Sequence, residues 1–105
     1  MFEVCRSDEY NKLFIKLSRN YQHILERFED RLCANPYIGK QLTYEFFREK
    51  KFDNRRALFF IYPEHRKVLL LTIVTKETQE SAMKWLRKNL DTLKTAIPNK
   101  PNEHA

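Results

Sequence analysis

Two apolar runs, "ALFFIY" at 57–62 and "KVLLLTIV" at 67–74, are separated only by "PEHR". Both are rich in the β-branched and aromatic residues that fit a pleated surface, and Pro63 cannot donate to a strand ladder, so the first run ends there. A hairpin is the expected outcome. The near-continuous apolarity of Val68 to Val74 predicts a central strand with helices covering at least one of its faces.

The flanking segments supply those helices. Ser7 followed by Asp8 and Glu9 reads as an N-cap with acids suited to the positive end of a helix dipole, after a short strand in "FEVCRS". Tyr10, Leu13, Phe14 and Leu17 recur at helical spacing over 8–17, and Ser18 to Asn20 read as a break. Tyr21, Ile24, Leu25, Phe28 and Leu32 form a second stripe over about 20–34, closed by Pro36, which disfavours helical geometry at Asn35. "NPYIGKQL" reads as a Pro and Gly turn, and Tyr44 to Phe52 as a half-exposed strand.

A last helix is expected over 77–97, with Ala82, Trp85, Leu86, Leu90, Leu93 and Ile97 on its buried face and Met83 off the centre of that stripe. The fold class is therefore α+β, in the order β-α-α-β-β-β-α. A small, mostly antiparallel sheet carries two N-terminal helices and one long C-terminal helix, packed on one side with the other face open. Residues 1–97 are expected to form one domain and 98–105 a disordered tail.

Composition narrows the function. A chain of 105 residues with 42% apolar content supports a single core, and 20 Lys and Arg against 14 Asp and Glu give a net charge of +6. That balance favours a phosphate-rich or acidic partner. The N-terminus has no apolar stretch to act as a signal peptide and no window is long enough to span a bilayer, so a cytoplasmic protein with no membrane partner is expected. Cys5 and Cys33 lack metal-ligand spacing and are expected to be reduced and structural. The single glycine, Gly39, excludes a Walker loop and a dinucleotide fingerprint, both of which need several. Phosphate must be met by side chains, with no cofactor.

The side chains for that task are concentrated. Arg48, Lys50, Lys51, Arg55 and Arg56 place five cations within nine positions at the mouth of the hairpin. Such crowding is self-repelling unless an anion sits there. Strand alternation turns Glu49 and Lys51 to one face and Arg48 and Lys50 to the other. Only one pair can face a substrate, and Glu49 with Lys51 is the expected pair. His65 falls in the hairpin connection, His23 on a helix and His104 in the tail, where ordinary polar surface accounts for them. Tyr37 and Tyr44 suit either packing or base stacking.

The element order, together with "NPYIGKQL" and "RRALFFIYPEHRKVLLLTIVTKETQ", resembles the RelE/ParE toxin superfamily, including its HigB-like branch. The likeness covers about residues 2–88 as a pattern. It implies a curved antiparallel sheet and an antitoxin partner, expected to be acidic and helical, that holds the toxin inactive. RelE-like and HigB-like members cut mRNA on the ribosome, whereas ParE-like members inhibit DNA gyrase. The resemblance thus implies a ribosome-dependent endoribonuclease that inhibits translation, with gyrase inhibition or silent RNA binding as alternatives.

Carried over by position, Arg56 matches the arginine that binds the scissile phosphate. Lys51 and Lys76 are expected to add charge, Glu49 to act as base, and Lys50, Arg48, Arg55 and Gln79 to bind RNA. "KETQ" keeps Lys76, Thr78 and Gln79 of the HigB-like "KKTQ" run. The sequence departs from many RelE-like enzymes, which carry an Arg after the fourth strand and a Tyr or His beyond it, by holding Lys76, Glu77 and Met83 in those places.

Overall fold

The computed structural model describes residues 1–98. Strand β1 (Glu3–Arg6) leads into helix α1 (Asp8–Phe14) and helix α2 (Arg19–Ala34). A 3-10 turn (Pro36–Ile38) precedes the two-residue strand β2 (Lys40–Gln41) and the hairpin of β3 (Phe47–Phe52) and β4 (Arg55–Tyr62). A second 3-10 turn (Pro63–His65) joins β4 to β5 (Lys67–Thr75), followed by α3 (Gln79–Lys88) and α4 (Leu90–Thr95).

The sheet order is β1-β5-β4-β3-β2. The predicted hairpin is the β4–β5 pair, antiparallel from Arg55 opposite Thr75 to Tyr62 opposite Lys67. Among the described strands only β1 runs parallel to its neighbour, β5. Ser7 acts as the expected N-cap, its Oγ accepting from the Tyr10 amide at 3.0 Å; Ser18, read only as the start of a break, caps the second helix in the same way, its Oγ accepting from the Tyr21 amide at 3.4 Å, so that α2 starts at Arg19.

Helices cover both faces of the sheet, and this corrects the expectation of an open face. Leu25, Phe28 and Leu32 of α2, with Tyr10 and Phe14 of α1, pack on Val4, Ala57, Phe59, Ile61, Val68 and Leu70. On the opposite face Leu86, with Ala82, Met83, Leu90, Leu93 and Ile97 alongside, packs on Phe47, Leu58, Phe60, Tyr62, Leu71 and Val74. Burial on two sides is why the two hairpin runs are apolar throughout rather than alternating. A register shift at Leu58 and Phe59 leaves Leu71 without a partner in β4, so the alternation slips by one residue there and Ile73, three positions on, joins Val68 and Leu70 in the same layer, while Val74 joins Leu71 in the other.

The C-terminal helix is two helices. Asn89 breaks it: its side-chain amide donates to the Trp85 carbonyl at 2.8 Å, the same oxygen that its backbone N–H reaches at 3.0 Å. Trp85 is 56% exposed and does not reach the core, whereas Met83 is half-buried against it. Ala82, Leu86, Leu90, Leu93 and Ile97 define a narrow stripe whose centre lies between Leu86 and Met83; on a 3.6-residue turn Trp85 points roughly a third of a turn away.

Other boundaries also differ from the sequence expectation, beginning with α1, which ends at Phe14 and not at residue 17. Strand β3 begins at Phe47, because Tyr44 to Phe46 form a tight connection in which the Phe47 amide donates to the Tyr44 carbonyl. Lys40 and Gln41, expected in a turn, pair with Glu49 and Arg48. The helix expected from residue 77 starts at Gln79. Pro98 accepts from Lys67 Nζ at 2.7 Å, and the rest of the expected tail lies outside the described residues. No helix among the described residues is long and apolar enough to cross a membrane.

At one end of the sheet, Arg6, Glu29 and Tyr10 form a buried polar group. Arg6 pairs with Glu29 at 3.1 Å and lies over the Phe14 ring at 3.9 Å, while Tyr10 Oη donates to Glu29 at 3.0 Å. Burial pushes the Glu29 carboxyl above its usual range, and Arg6 only partly opposes this. Cys5 is buried and free, and Cys33 is half-buried and free.

Candidate nucleic-acid interface

The β3–β4 hairpin fixes which cations share a face. Lys51 stands opposite Arg56, Lys50 opposite Ala57, Glu49 opposite Leu58 and Phe52 opposite Arg55. Opposed residues project to the same side, so Glu49, Lys51 and Arg56 lie on the face covered by α3, and Lys50, Phe52 and Arg55 on the face covered by α2. The five cations of the sequence cluster are therefore split between two surfaces.

The tip of the hairpin is held from below. Asp53 occupies the left-handed region at a φ of 53°, which Asp tolerates better than most residues, and accepts from Tyr21 Oη of α2 at 2.6 Å. That hydrogen bond raises the Tyr21 phenol above its ordinary value. Arg55 lies over the same Tyr21 ring at 4.9 Å.

Arg56 is the organising group on the α3 face. Its Nε is 3.6 Å from Glu49 Oε2, and its Nη1 donates to Gln79 Oε1, the first residue of α3. Gln79 is brought there by a tight turn after β5, in which Thr78 Oγ1 accepts from the Thr75 amide at 2.9 Å. Glu49 is nearly inaccessible, with 6% of its side chain exposed, while Arg56 keeps 32%. A half-open guanidinium with a buried carboxylate behind it has donors left for an external anion.

Around these groups is a concavity of about 430 Å³ lined by Lys51, Asp53, Asn54, Arg56, Thr75, Lys76 and Gln79. A second, of about 330 Å³, is lined by Phe28, Arg31, Ile38, Gly39, Lys40, Glu49, Lys50, Lys51 and Arg56. Lys51 and Arg56 belong to both. Of the candidate residues, Arg56, Lys51, Glu49, Lys76 and Gln79 are thus gathered at one place, and Lys50 reaches it through the second hollow.

Arg48 and Arg55 are not. Arg48 donates to the carbonyls of Gly39 at 3.0 Å, Glu45 at 2.9 Å and Tyr37 at 3.1 Å, and so ties the loop on either side of β2 to β3. Its fork is committed to the backbone, which departs from the expected RNA-binding role. Arg55 lies with Tyr21 on the α2 side. Neither residue lines either concavity.

Two lining cations, Arg31 and Lys40, were outside the sequence expectation. A register of Lys40 against Glu49 would have revealed the latter, but a two-residue strand leaves no periodic signal. Gly39 marks the place: a Cβ there would lie 2.6 Å from Phe59 Cζ and 2.9 Å from the Glu49 carbonyl oxygen. Among the described residues no three His, Cys, Asp or Glu side chains gather to hold a metal ion.

No family model and no curated protein matches the sequence. Solved structures do. The isolated RelE toxin of E. coli superposes with a TM-score of 0.64 at 15% identity, covering 82% of this chain and 99% of that one. The RelBE2 toxin-antitoxin complex of Mycobacterium tuberculosis matches with a TM-score of 0.61 at 22% identity, covering 71% and 98%. The archaeal RelE-RelB complex from Pyrococcus horikoshii gives 0.61 at 13%, covering 71% and 94%. In its arrangement of strands and helices, this chain has the fold of the RelE toxins.

Proposed function

We propose that this chain is the toxin of a toxin-antitoxin pair and acts as a ribosome-dependent endoribonuclease on mRNA in the cytoplasm. The observation that carries the proposal is the convergence of Lys51 and Arg56 on one face, with Glu49 beside them and Lys76 and Gln79 closing the same concavity. The fold supports it, since structures with this fold include RelE toxins bound to RelB antitoxins.

In this scheme the 2′-hydroxyl of the RNA attacks the adjacent phosphorus. Glu49 takes the hydroxyl proton, the P–O5′ bond breaks, and a lysine ammonium, Lys51 or Lys76, supplies the proton to the departing oxygen. The products are a 2′,3′-cyclic phosphate and a 5′-hydroxyl. Arg56 spans the phosphate oxygens on which charge accumulates, and Gln79 holds the guanidinium in position. No cofactor takes part. The antitoxin is an acidic helical segment that neutralises the basic surface.

Primer extension on total mRNA after induction is the test. Cuts within translated codons that disappear with Arg56→Ala are expected. Intact message alongside arrested growth would overturn the proposal. That result would favour the second reading, a gyrase inhibitor, which the engagement of Arg56 by Glu49 and Gln79 also suits. Loss of DNA supercoiling activity in the presence of the protein would then be seen.

A further inference from the structure

We infer that Arg31, Lys40 and Lys50 form a second phosphate subsite, which receives single-stranded RNA continuing from Lys51 and Arg56 round the free edge of the sheet. The inference rests on the nucleic-acid reading above.

Three elements that are far apart in sequence bring these cations to one hollow. Arg31 comes from the last turn of α2, Lys40 from β2, and Lys50 from β3, where its ammonium lies over the Phe28 ring at 5.4 Å. Lys50 and Lys51 project to opposite faces of β3, yet both line this hollow together with Arg56. It therefore straddles the strand edge. It can do so because β2 pairs with β3 only as far as Glu49 and leaves the edge beyond open.

The charge in the hollow is unbalanced. Among the described residues five cations line it with a single carboxylate, Glu49, and that carboxylate already faces Arg56. Among the described residues, none of Arg31, Lys40, Lys50 and Lys51 has a carboxylate within ion-pair distance. Cations held this close without counter-charges raise the local affinity for a polyanion. Sharing Lys51 and Arg56 with the neighbouring concavity makes the two hollows consecutive stations on one path.

The shape of the path selects the ligand. A duplex, stiff over about 50 nm, cannot turn round a single strand edge, whereas a single strand can. An acidic protein segment is disfavoured because, among the described residues, the apolar side chains lining the hollow are Phe28, which is buried, and Ile38, which is half-buried, and they form no pocket for an anchoring side chain.

The test uses fluorescein-labelled 2′-O-methyl oligouridylates, which cannot be cleaved, and reads anisotropy between 50 and 200 mM KCl. The native protein is expected to bind a hexamer at least about tenfold more tightly than a trimer. Arg31→Ala/Lys40→Ala should abolish that gain, leave the trimer unaffected, and lessen the salt slope for the hexamer by roughly 1.4, about 0.7 per cation removed. Both residues are exposed, so the melting temperature should be unchanged; Arg31→Glu/Lys40→Glu should enlarge the effect.

Unchanged hexamer binding in the double variant overturns the subsite while leaving the main proposal standing, provided Arg56→Ala still weakens both oligomers. Absence of binding by the native protein overturns both. Displacement of the hexamer by decaglutamate at equal charge would show an acidic-peptide site instead and also overturns the inference.

Discussion

Lys51 and Arg56 stand directly opposite each other across the β3–β4 ladder and share one face, five positions apart in sequence and joined by a two-residue turn. Such a pair is rigid because both backbones are hydrogen-bonded in the sheet. The charges arrive in register without a loop having to close over them.

Removing the guanidinium should therefore be the most damaging single change to activity. Arg56→Ala is expected to lower the rate of mRNA cleavage on the order of 10²-fold or more, the range seen when one donor to a developing oxyanion is deleted. Arg56→Lys should not restore it, since one ammonium cannot meet both Glu49 and Gln79 as the fork does. Single-turnover cleavage on programmed ribosomes measures both.

Glu49→Gln separates two roles of that carboxylate. Loss of the negative charge frees Arg56, so affinity for an uncleavable oligonucleotide should rise, while the cleavage rate should fall because the base is gone. A rise in both quantities would show that Glu49 only restrains Arg56.

Gly39→Ala should destabilise the protein by about 1–3 kcal/mol, because the added methyl would press on the Phe59 ring, itself fully buried, and on the backbone of β3. Urea denaturation followed by circular dichroism reads this directly. Since φ at Gly39 is −75°, the cost is one of space and not of backbone strain.

The buried Glu29 gives a pH signature. Its carboxyl is held above the ordinary value by burial, so the folded state takes up a proton more readily than the unfolded chain. This contribution to stability is fully present below the unfolded value of 4.5 and is lost as pH rises through the higher folded value. Glu29→Gln, which keeps one acceptor oxygen for Arg6 and turns an NH2 donor towards the Tyr10 hydroxyl oxygen, should abolish it. The difference in melting temperature between native protein and variant should shift in favour of the native protein on acidification from pH 7 towards 4.5.

How much of this was visible in the amino-acid order depends on whether a feature repeats. The β4–β5 hairpin and both N-terminal helices are written in long periodic runs, as is the alternation that sorts Glu49 and Lys51 from Arg48 and Lys50, and the Ser7 cap is marked by the acids that follow it; the Ser18 cap read only as a break. The two-residue β2 has no period, and without it Lys40 could not be brought to Glu49. Trp85 was placed on the buried face beside Ala82 and Leu86, yet successive residues of a helix stand about 100° apart and the stripe of α3 is narrow, so the indole next to Leu86 stays outside. Arg48 looked like its neighbours in sequence, yet three carbonyls claim it, and carbonyl positions leave no trace in composition.

The brevity of β2 has one more effect. A sheet that finishes on so short a strand exposes unpaired amides and carbonyls along the rest of β3, and bare edges of this sort invite a second polypeptide to pair. Lysines at 50 and 51 repel such an approach. Protection from aggregation and attraction for polyanions thus have a common origin, and neutralising these two side chains would weaken both at once.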